Sequence, residues 1–274
     1  MKTGETYSLI TMRQKQWASS HGICPEESPS WESHTPDLES NVYEPLAIKT
    51  LGEFERGEGK ETSQKMLVLW SSSALVVNTF DYWRKGNRVR DIAQVFDPAT
   101  SATDMEFESK QPVQRGGTPP HLDVVFTGIN TKTIAIESKF TEPYRFSGSN
   151  LDKYLSNSTI WWGLDNLRAY TERIVELEKQ ETEYSYLGVP QLIKHILGLK
   201  RQDKDHTGFT LVYLWYNFDS EEARKHEEEI EKFTAAVTPE VDFKSMKYQD
   251  LFENITKIPG IDKRYVDYLR ERYF

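Results

Sequence analysis

Pro120-His121-Leu122-Asp123-Val124-Val125-Phe126, followed by Thr133-Ile134-Ala135-Ile136-Glu137-Ser138-Lys139-Phe140, decides how this chain reads. Both stretches alternate apolar and other residues as half-buried strands do. The link between them, Thr127-Gly128-Ile129-Asn130-Thr131-Lys132, carries the Gly and Asn of a hairpin loop. Successive strand side chains point to opposite faces. Glu137 and Lys139 therefore share one face, and Ile134, Ile136 and Phe140 take the other. Asp123 faces away from Leu122, Val124 and Phe126. If the two strands pair, two carboxylates and an amine converge at a sheet edge, which describes a divalent-metal site with a cation beside it.

The chemistry of such a set is restricted. Two adjacent carboxylates repel, so one protonates or a cation joins them. Magnesium prefers oxygen ligands and is usually held by one or two carboxylates, several waters and substrate phosphates. A bound metal activates water and shields charge on a phosphoryl oxygen. A nearby lysine can orient that water or offset transition-state charge. Asp, Glu and Lys together suit phosphodiester hydrolysis. They suit acyl transfer poorly, because no serine or cysteine nucleophile with a placed base is evident.

At these residues the chain resembles the PD-(D/E)XK nuclease superfamily, the restriction-endonuclease-like folds. The match is Asp123 and then Glu137-Ser138-Lys139 on consecutive strands; Pro120 lies three positions before Asp123 rather than next to it. A wider stretch is similar to a little-characterised bacterial branch of that superfamily. It includes Ser71-Ser72-Ser73-Ala74-Leu75 in an upstream helix, Ala135 through Tyr144, and Gln191-Leu192-Ile193-Lys194-His195 in a later helix. The resemblance covers roughly residues 40 to 252. It implies an α/β fold with a mixed central sheet flanked by helices in the order αβββαβ. It implies Asp123 and Glu137 as holders of Mg²⁺, with Mn²⁺ able to substitute, helped by the backbone carbonyl of Ser138. Lys139 would orient or polarise the attacking water. Glu108, on the neighbouring strand, is a further ligand candidate against a plain surface carboxylate. Gln191 is a candidate for positioning substrate or water against simple exposure. DNA is the implied partner, with a homodimer as one option.

A carboxylate, any residue, then lysine arises by chance about once or twice in a chain of this charge content. Glu58-Gly59-Lys60, Glu108-Ser109-Lys110 and Asp242-Phe243-Lys244 also fit the pattern. Glu58 lies in a loop by composition. Asp242 begins a late strand with no acidic strand in hairpin range before it. Glu108 is the serious rival, but Gln111-Pro112 ends its strand early and no apolar strand with a central Asp precedes it.

The order of elements supports the same fold independently. Residues 1–60 are rich in Pro, Ser, Glu and Gly and read as a loop-rich arm, with a short helix near Tyr43 to Leu51; residues 61–274 read as the α/β domain. A long buried helix is expected from Thr62 to Arg84. Strands follow near 104–109, 121–127 and 133–140, then a helical region over 151–201 broken at Gly188-Val189-Pro190. A strand at Phe209–Trp215 comes next. A helix capped by Asp219 or Ser220 runs to Val237, with Glu221 and Glu222 at its positive end, and a last strand covers Val241 to Lys247.

Several positions carry paired expectations. Gln191, Lys194 and His195 are expected on the polar face of a helix whose other face is Leu192, Ile193, Ile196 and Leu197. His195 could be a base, though a lone helix histidine is more often structural or solvated. Ser71, Ser72 and Ser73 read as small packing residues. Trp161 and Trp162 read as core before they read as base-stacking platforms. Glu227, Glu228, Glu229 and Glu231 read as a wet helix face, and Glu142 as an extra-ligand candidate.

Composition sets the bounds. The chain has 274 residues, 34 basic and 43 acidic, a formal net charge of −9, seven Trp and fourteen Tyr. It is long enough to bury a substantial core, and too aromatic to be disordered throughout. No apolar run reaches membrane-spanning length, and Met1-Lys2-Thr3-Gly4-Glu5-Thr6 lacks a signal-peptide core. A single cysteine, Cys24, makes a reducing, cytoplasmic setting the default. The acidity runs against the basic face of many DNA binders. Arg84-Lys85-Gly86-Asn87-Arg88-Val89-Arg90 and Lys200-Arg201-Gln202-Asp203-Lys204 are the basic clusters available for phosphate. The alternative function is a catalytically inactive nucleic-acid-binding or interaction protein that keeps the nuclease fold. A third is a hydrolase of small phosphoesters.

Overall fold

The three alternating stretches pair into one sheet, and the site follows from how they pair. The computed structural model describes residues 4–28, 31–56, 61–114, 119–145, 152–178, 184–203 and 206–274. In chain order the longer elements are α1 (Glu5–Ser20), β1 (Glu26–Ser28), β2 (Trp31–His34), α2 (Ile48–Glu55), α3 (Ser72–Lys85), α4 (Val89–Phe96), β3 (Asp104–Lys110), β4 (His121–Thr127), β5 (Thr133–Lys139), α5 (Asp152–Leu155), α6 (Asp165–Glu178), α7 (Val189–Gln202), β6 (Phe209–Trp215), α8 (Glu221–Val237), β7 (Asp242–Lys247), α9 (Tyr248–Thr256) and α10 (Lys263–Tyr273). Strands β3 to β7 form a five-stranded mixed sheet in sequential order. The β3–β4 and β4–β5 pairs are antiparallel, and the β5–β6 and β6–β7 pairs are parallel. Within this frame α3, β3, β4, β5, α7 and β6 reproduce the expected αβββαβ order.

Helices cover both faces. Phe126 on β4 packs against Phe80 of α3 and Phe96 of α4, and Ser138 Oγ lies 2.7 Å from the Tyr248 hydroxyl of α9. On the opposite face Trp215 of β6 meets His226 of α8, and Phe243 of β7 meets Phe233 of α8. Strand β6, Phe-Thr-Leu-Val-Tyr-Leu-Trp, is buried along almost its whole length, as a strand covered on both faces must be.

Three elements differ from the sequence expectation. The long helix begins at Ser72, not Thr62, because the Ser71 hydroxyl caps it by accepting from Ala74 N at 3.3 Å. The serine triplet is thus a helix-start signal. The buried Met66 and Leu69 before it sit in turns and a short 3₁₀ segment. The first sixty residues contain the 16-residue helix α1, whose buried Thr6, Ile10, Gln14, Trp17 and Ala18 follow helical spacing. Helices α9 and α10 extend the fold past the last strand.

Helix α10 is tied to α1 through Arg272. Its guanidinium is 0 % exposed. It donates to Asn41 O at 2.7 Å, Asn41 Oδ1 at 2.5 Å and the Tyr268 hydroxyl at 2.6 Å. The Trp17 ring lies 4.3 Å away and that of Tyr273 5.0 Å. Gln14 of α1 closes the arrangement by donating to Arg272 O at 2.9 Å.

Candidate active site at the fork between β4 and β5

Strand pairing brings the acidic residues into line. The β4–β5 ladder ends at Val124 opposite Ile136, so continuing the register sets Asp123 opposite Glu137. On the other side, Phe107 faces Val124 and Ser109 faces Leu122, which sets Glu108 opposite Asp123. Glu137 is paired with Tyr213 of β6. Glu108, Asp123, Glu137 and Tyr213 thus form a row across one sheet face. Glu108 takes a backbone φ of 51°, a left-handed conformation that non-glycine residues rarely adopt within a strand.

Beyond Val124 and Ile136 the two strands part. The Ser138 amide donates to Asp123 Oδ2 at 2.7 Å instead of to a β4 carbonyl. Lys139 O accepts from Tyr216 N at 2.9 Å on the β6 side. Strand alternation therefore turns both polar backbone groups of Ser138 toward the fork. The three charged side chains meet here, inside the sheet, with β3 and β7 as the outer strands; the expected position at a sheet edge is corrected accordingly.

The electrostatics are those of crowded like charges. Glu137 is 1 % exposed. Its Oε1 accepts from Lys139 Nζ at 2.5 Å. Burial pushes the Glu137 carboxyl up, but Lys139 and His195 outweigh it and hold it at about 2. Asp123 goes the other way: burial first, and then the negative charge of Glu137, raise it well above its ordinary range. Burial works against the Lys139 ammonium, yet the charges of Glu137, Glu142 and Asp123 keep it firmly protonated. Glu108 is raised by burial and by the charges of Glu61 and Glu137, and its Oε2 lies 3.2 Å from His121 Nδ1. Side by side, one carboxylate keeps its charge and its neighbour is driven toward the neutral acid.

Among the described residues no three His, Cys, Asp or Glu side chains close into a ready metal cluster. Magnesium takes one or two carboxylates and fills the rest of its shell with water and substrate. Two features fit a hard divalent cation here. Glu137 Oε2 is buried, with His195 Nε2 at 2.9 Å as its neighbour, and Asp123 is raised by burial and then by the charge of Glu137, which a cation would offset. Asp123, Glu137 and the Ser138 carbonyl are the residues that would hold it, with Glu108 next in the row.

A cavity of about 170 Å³ opens beside Lys139, lined among others by Glu142, Arg145, Tyr186, Gln191 and Tyr213. Gln191, at the start of α7, therefore faces the same space as the lysine. Glu142 is occupied in part by Phe140 N at 2.8 Å. The segment leading into α7 is set by Glu229, whose carboxylate accepts from the amides of Ser185, Tyr186 and Leu187 at 2.7, 2.8 and 2.7 Å. Glu229 is thus a structural acceptor, not part of a wet face. The Tyr213 hydroxyl lies 3.0 Å from His226 Nε2. Burial, and then the charge of Lys139, push His226 down to about 3 and keep it neutral.

The largest departure from the sequence expectation at the site is His195. It does not share a polar face with Gln191 and Lys194 but is fully buried against Glu137, because α7 is enclosed on nearly every side. Glu61 was not a candidate; it is buried, accepts from Ser73 Oγ at 3.2 Å and pairs with Lys65. Nothing in the loop-like sequence around it marks the position. Of the rival triplets, Glu58-Gly59-Lys60 lies outside the described residues. Asp242 is bound to Lys132 Nζ at 2.5 Å and Thr210 Oγ1 at 2.6 Å. The first basic cluster is largely spent internally: Arg84 pairs with Glu53 at 2.7 Å, Lys85 with Glu44 at 2.7 Å and Arg88 with Asp91 at 2.6 Å. In the second, Arg201 donates to Val113 O at 2.6 Å, while Lys204 lies outside the described residues. Trp161 is core, whereas Trp162 is 75 % exposed.

The family described as restriction endonuclease associating with ARP matches residues 11–274. The chain belongs to that family. Its span takes in α4, α9, α10 and the C-terminal part of α1 as well as the sheet, so the match extends well beyond the αβββαβ order. No curated protein and no solved structure matches the chain. No helix among the described residues is long and apolar enough to cross a membrane.

Proposed function

We propose that the protein is a metal-dependent nuclease of the PD-(D/E)XK type that hydrolyses phosphodiester bonds in DNA. The observation that carries this is the fork itself. Asp123 comes opposite Glu137 where the strands part, its Oδ2 accepting from Ser138 N, and Lys139 Nζ donates to Glu137 Oε1. Family membership supports a restriction-endonuclease-like nuclease, and DNA as its partner.

Asp123, Glu137 and the Ser138 carbonyl would hold Mg²⁺, with Mn²⁺ able to substitute. When bound, the ion supplies charge neutralisation at the phosphate and a more acidic water. Lys139 keeps its proton, so it serves as a charge and hydrogen-bond donor to the attacking water or the phosphoryl oxygen, not as a base. Gln191, which lines the same cavity as Lys139, would hydrogen-bond phosphate or water. The test is cleavage of plasmid and linear DNA in Mg²⁺ or Mn²⁺ by the wild-type protein, Asp123→Ala and Lys139→Ala. Cleavage surviving both substitutions at full rate removes the assignment.

A second reading, a binding or interaction protein that keeps the fold without turnover, is favoured by one observation. The net charge is −9, and Arg84, Lys85 and Arg88 are already paired with Glu53, Glu44 and Asp91. It predicts no cleavage even in Mn²⁺.

A further inference from the structure

Helix α7 carries an imidazole where its neighbours are apolar. His195 is 0 % exposed, amid Leu192, Ile193, Ile196 and Leu199, all buried. A histidine in such a place ordinarily satisfies its nitrogens or is replaced by a hydrophobe, because burying an unpaired polar group costs about 1–3 kcal/mol. His195 does neither. Its Nδ1 has no hydrogen-bond partner, and its Nε2 is given over to Glu137 Oε2 at 2.9 Å. The other oxygen of the same carboxylate is taken by Lys139 Nζ. Glu137 thus sits between a lysine from its own strand and a histidine from the covering helix. Such a pair, sealed inside a well-packed core with one nitrogen left unsatisfied, asks for an explanation beyond packing. The carboxylate that His195 meets, Glu137, is one the site needs in a fixed orientation.

We infer that His195 is a positioning residue: its Nε2, lodged against Glu137 Oε2, fixes the carboxylate in the orientation from which it takes up a divalent cation. This rests on the metal-dependent reading above and adds to it a part for α7. Groups outside the ligand set that orient a ligand typically change metal affinity about 10- to 100-fold when removed. A side chain serving only as core filler would change the melting temperature and leave cation affinity alone.

The test is Mn²⁺ binding to the full-length protein without DNA, followed by electron paramagnetic resonance, beside thermal unfolding and DNA cleavage. His195→Leu fills the apolar surroundings and removes the nitrogen; His195→Gln places an amide nitrogen near the Nε2 position. The expected result is folded His195→Leu protein with Mn²⁺ affinity about 10- to 100-fold weaker, and a His195→Gln protein that recovers most of the loss. Folded His195→Leu protein binding Mn²⁺ within twofold of wild type overturns the inference while leaving the nuclease reading standing. Wild-type protein that binds no Mn²⁺, or binds it equally well after Asp123→Ala, overturns both. If His195→Leu does not fold, His195→Gln against His195→Asn decides. The shorter Asn amide cannot reach Glu137, so equal affinities for the two overturn the inference and a marked loss only in Asn supports it.

Discussion

Two regions of this molecule bury charge, and they do it in opposite ways. Around Arg272 the cation is met by carbonyl and phenol oxygens and stacked against aromatic rings. Around Glu137 a lysine and a histidine hold one carboxylate while a second is crowded against it. Burial, and then the charge of Glu137, push Asp123 out of its ordinary range, and His195 Nδ1 is left without a hydrogen-bond partner. A fully satisfied buried charge ties elements together; a dissatisfied one is held in place by the surrounding fold and has something left to bind. The first region joins α10 to α1, and the second sits where two strands separate.

That contrast gives expected outcomes of decreasing size. Asp123→Ala or Lys139→Ala should lower plasmid cleavage by at least about 10²–10³-fold; melting curves should stay near wild type for Asp123→Ala, where relief of the like charge beside Glu137 offsets the lost Ser138 N–H acceptor, and fall for Lys139→Ala, which strips Glu137 of its buried partner. A large fall in melting temperature would put Asp123 in the same class as Arg272. Conversely, Arg272→Ala should cost about 3–5 kcal/mol by leaving buried acceptors and a void, read by urea unfolding, with cleavage per folded molecule retained.

The next effect concerns pH. His226 is held at about 3 against an ordinary value of 6.5. Between those values the unfolded chain binds a proton that the folded chain does not. Stability should therefore fall on acidification from pH 6.5 to 3, by up to about 1.4 kcal/mol per unit from this group. Glu137, low in the folded state, adds to the loss below pH 4.5. His226→Gln, which keeps a partner for the Tyr213 hydroxyl, should flatten the slope above pH 4.5 in urea unfolding at stepped pH. Gln191→Ala should reduce cleavage about tenfold, the worth of one hydrogen bond to a charged group, without moving the melting temperature. Smallest of all, Trp162→Ala should stay within about 0.5 kcal/mol of wild type, because the ring is 75 % exposed.

How much of this was legible in the sequence follows from range. Strands β3 to β7 and the Ser220 cap of α8 announce themselves through alternation and a capping residue, which are local signals. The same alternation places Asp123, Glu137 and Lys139 on a common face. Helix α1 was hidden by a mean hydropathy lowered by Glu5, Arg13, Lys15 and Gln16, although Ile10, Trp17 and Ala18 carry the helical period. The burial of His195 against Glu137, and Glu61 altogether, could not be found this way, although His195 stood out as a possible base or structural histidine. Each meets the site only through tertiary approach: α7 folding over β5, and the turn before α3 reaching β3. Gly198 shows how close that approach is, since a Cβ there would lie 2.5 Å from Gln111 O. The basic clusters misled for a related reason: composition records how many cations a segment holds but not that Glu53, Glu44 and Asp91 already engage them.

The hydrogen bond from Ser138 N to Asp123 offers a spectroscopic handle. That proton reports on one carboxylate oxygen and on no neighbouring strand, so its nuclear magnetic resonance signal should move whenever Asp123 changes partner or protonation. A single labelled serine amide could then follow occupancy of the cleft by titration, without turnover and without substrate.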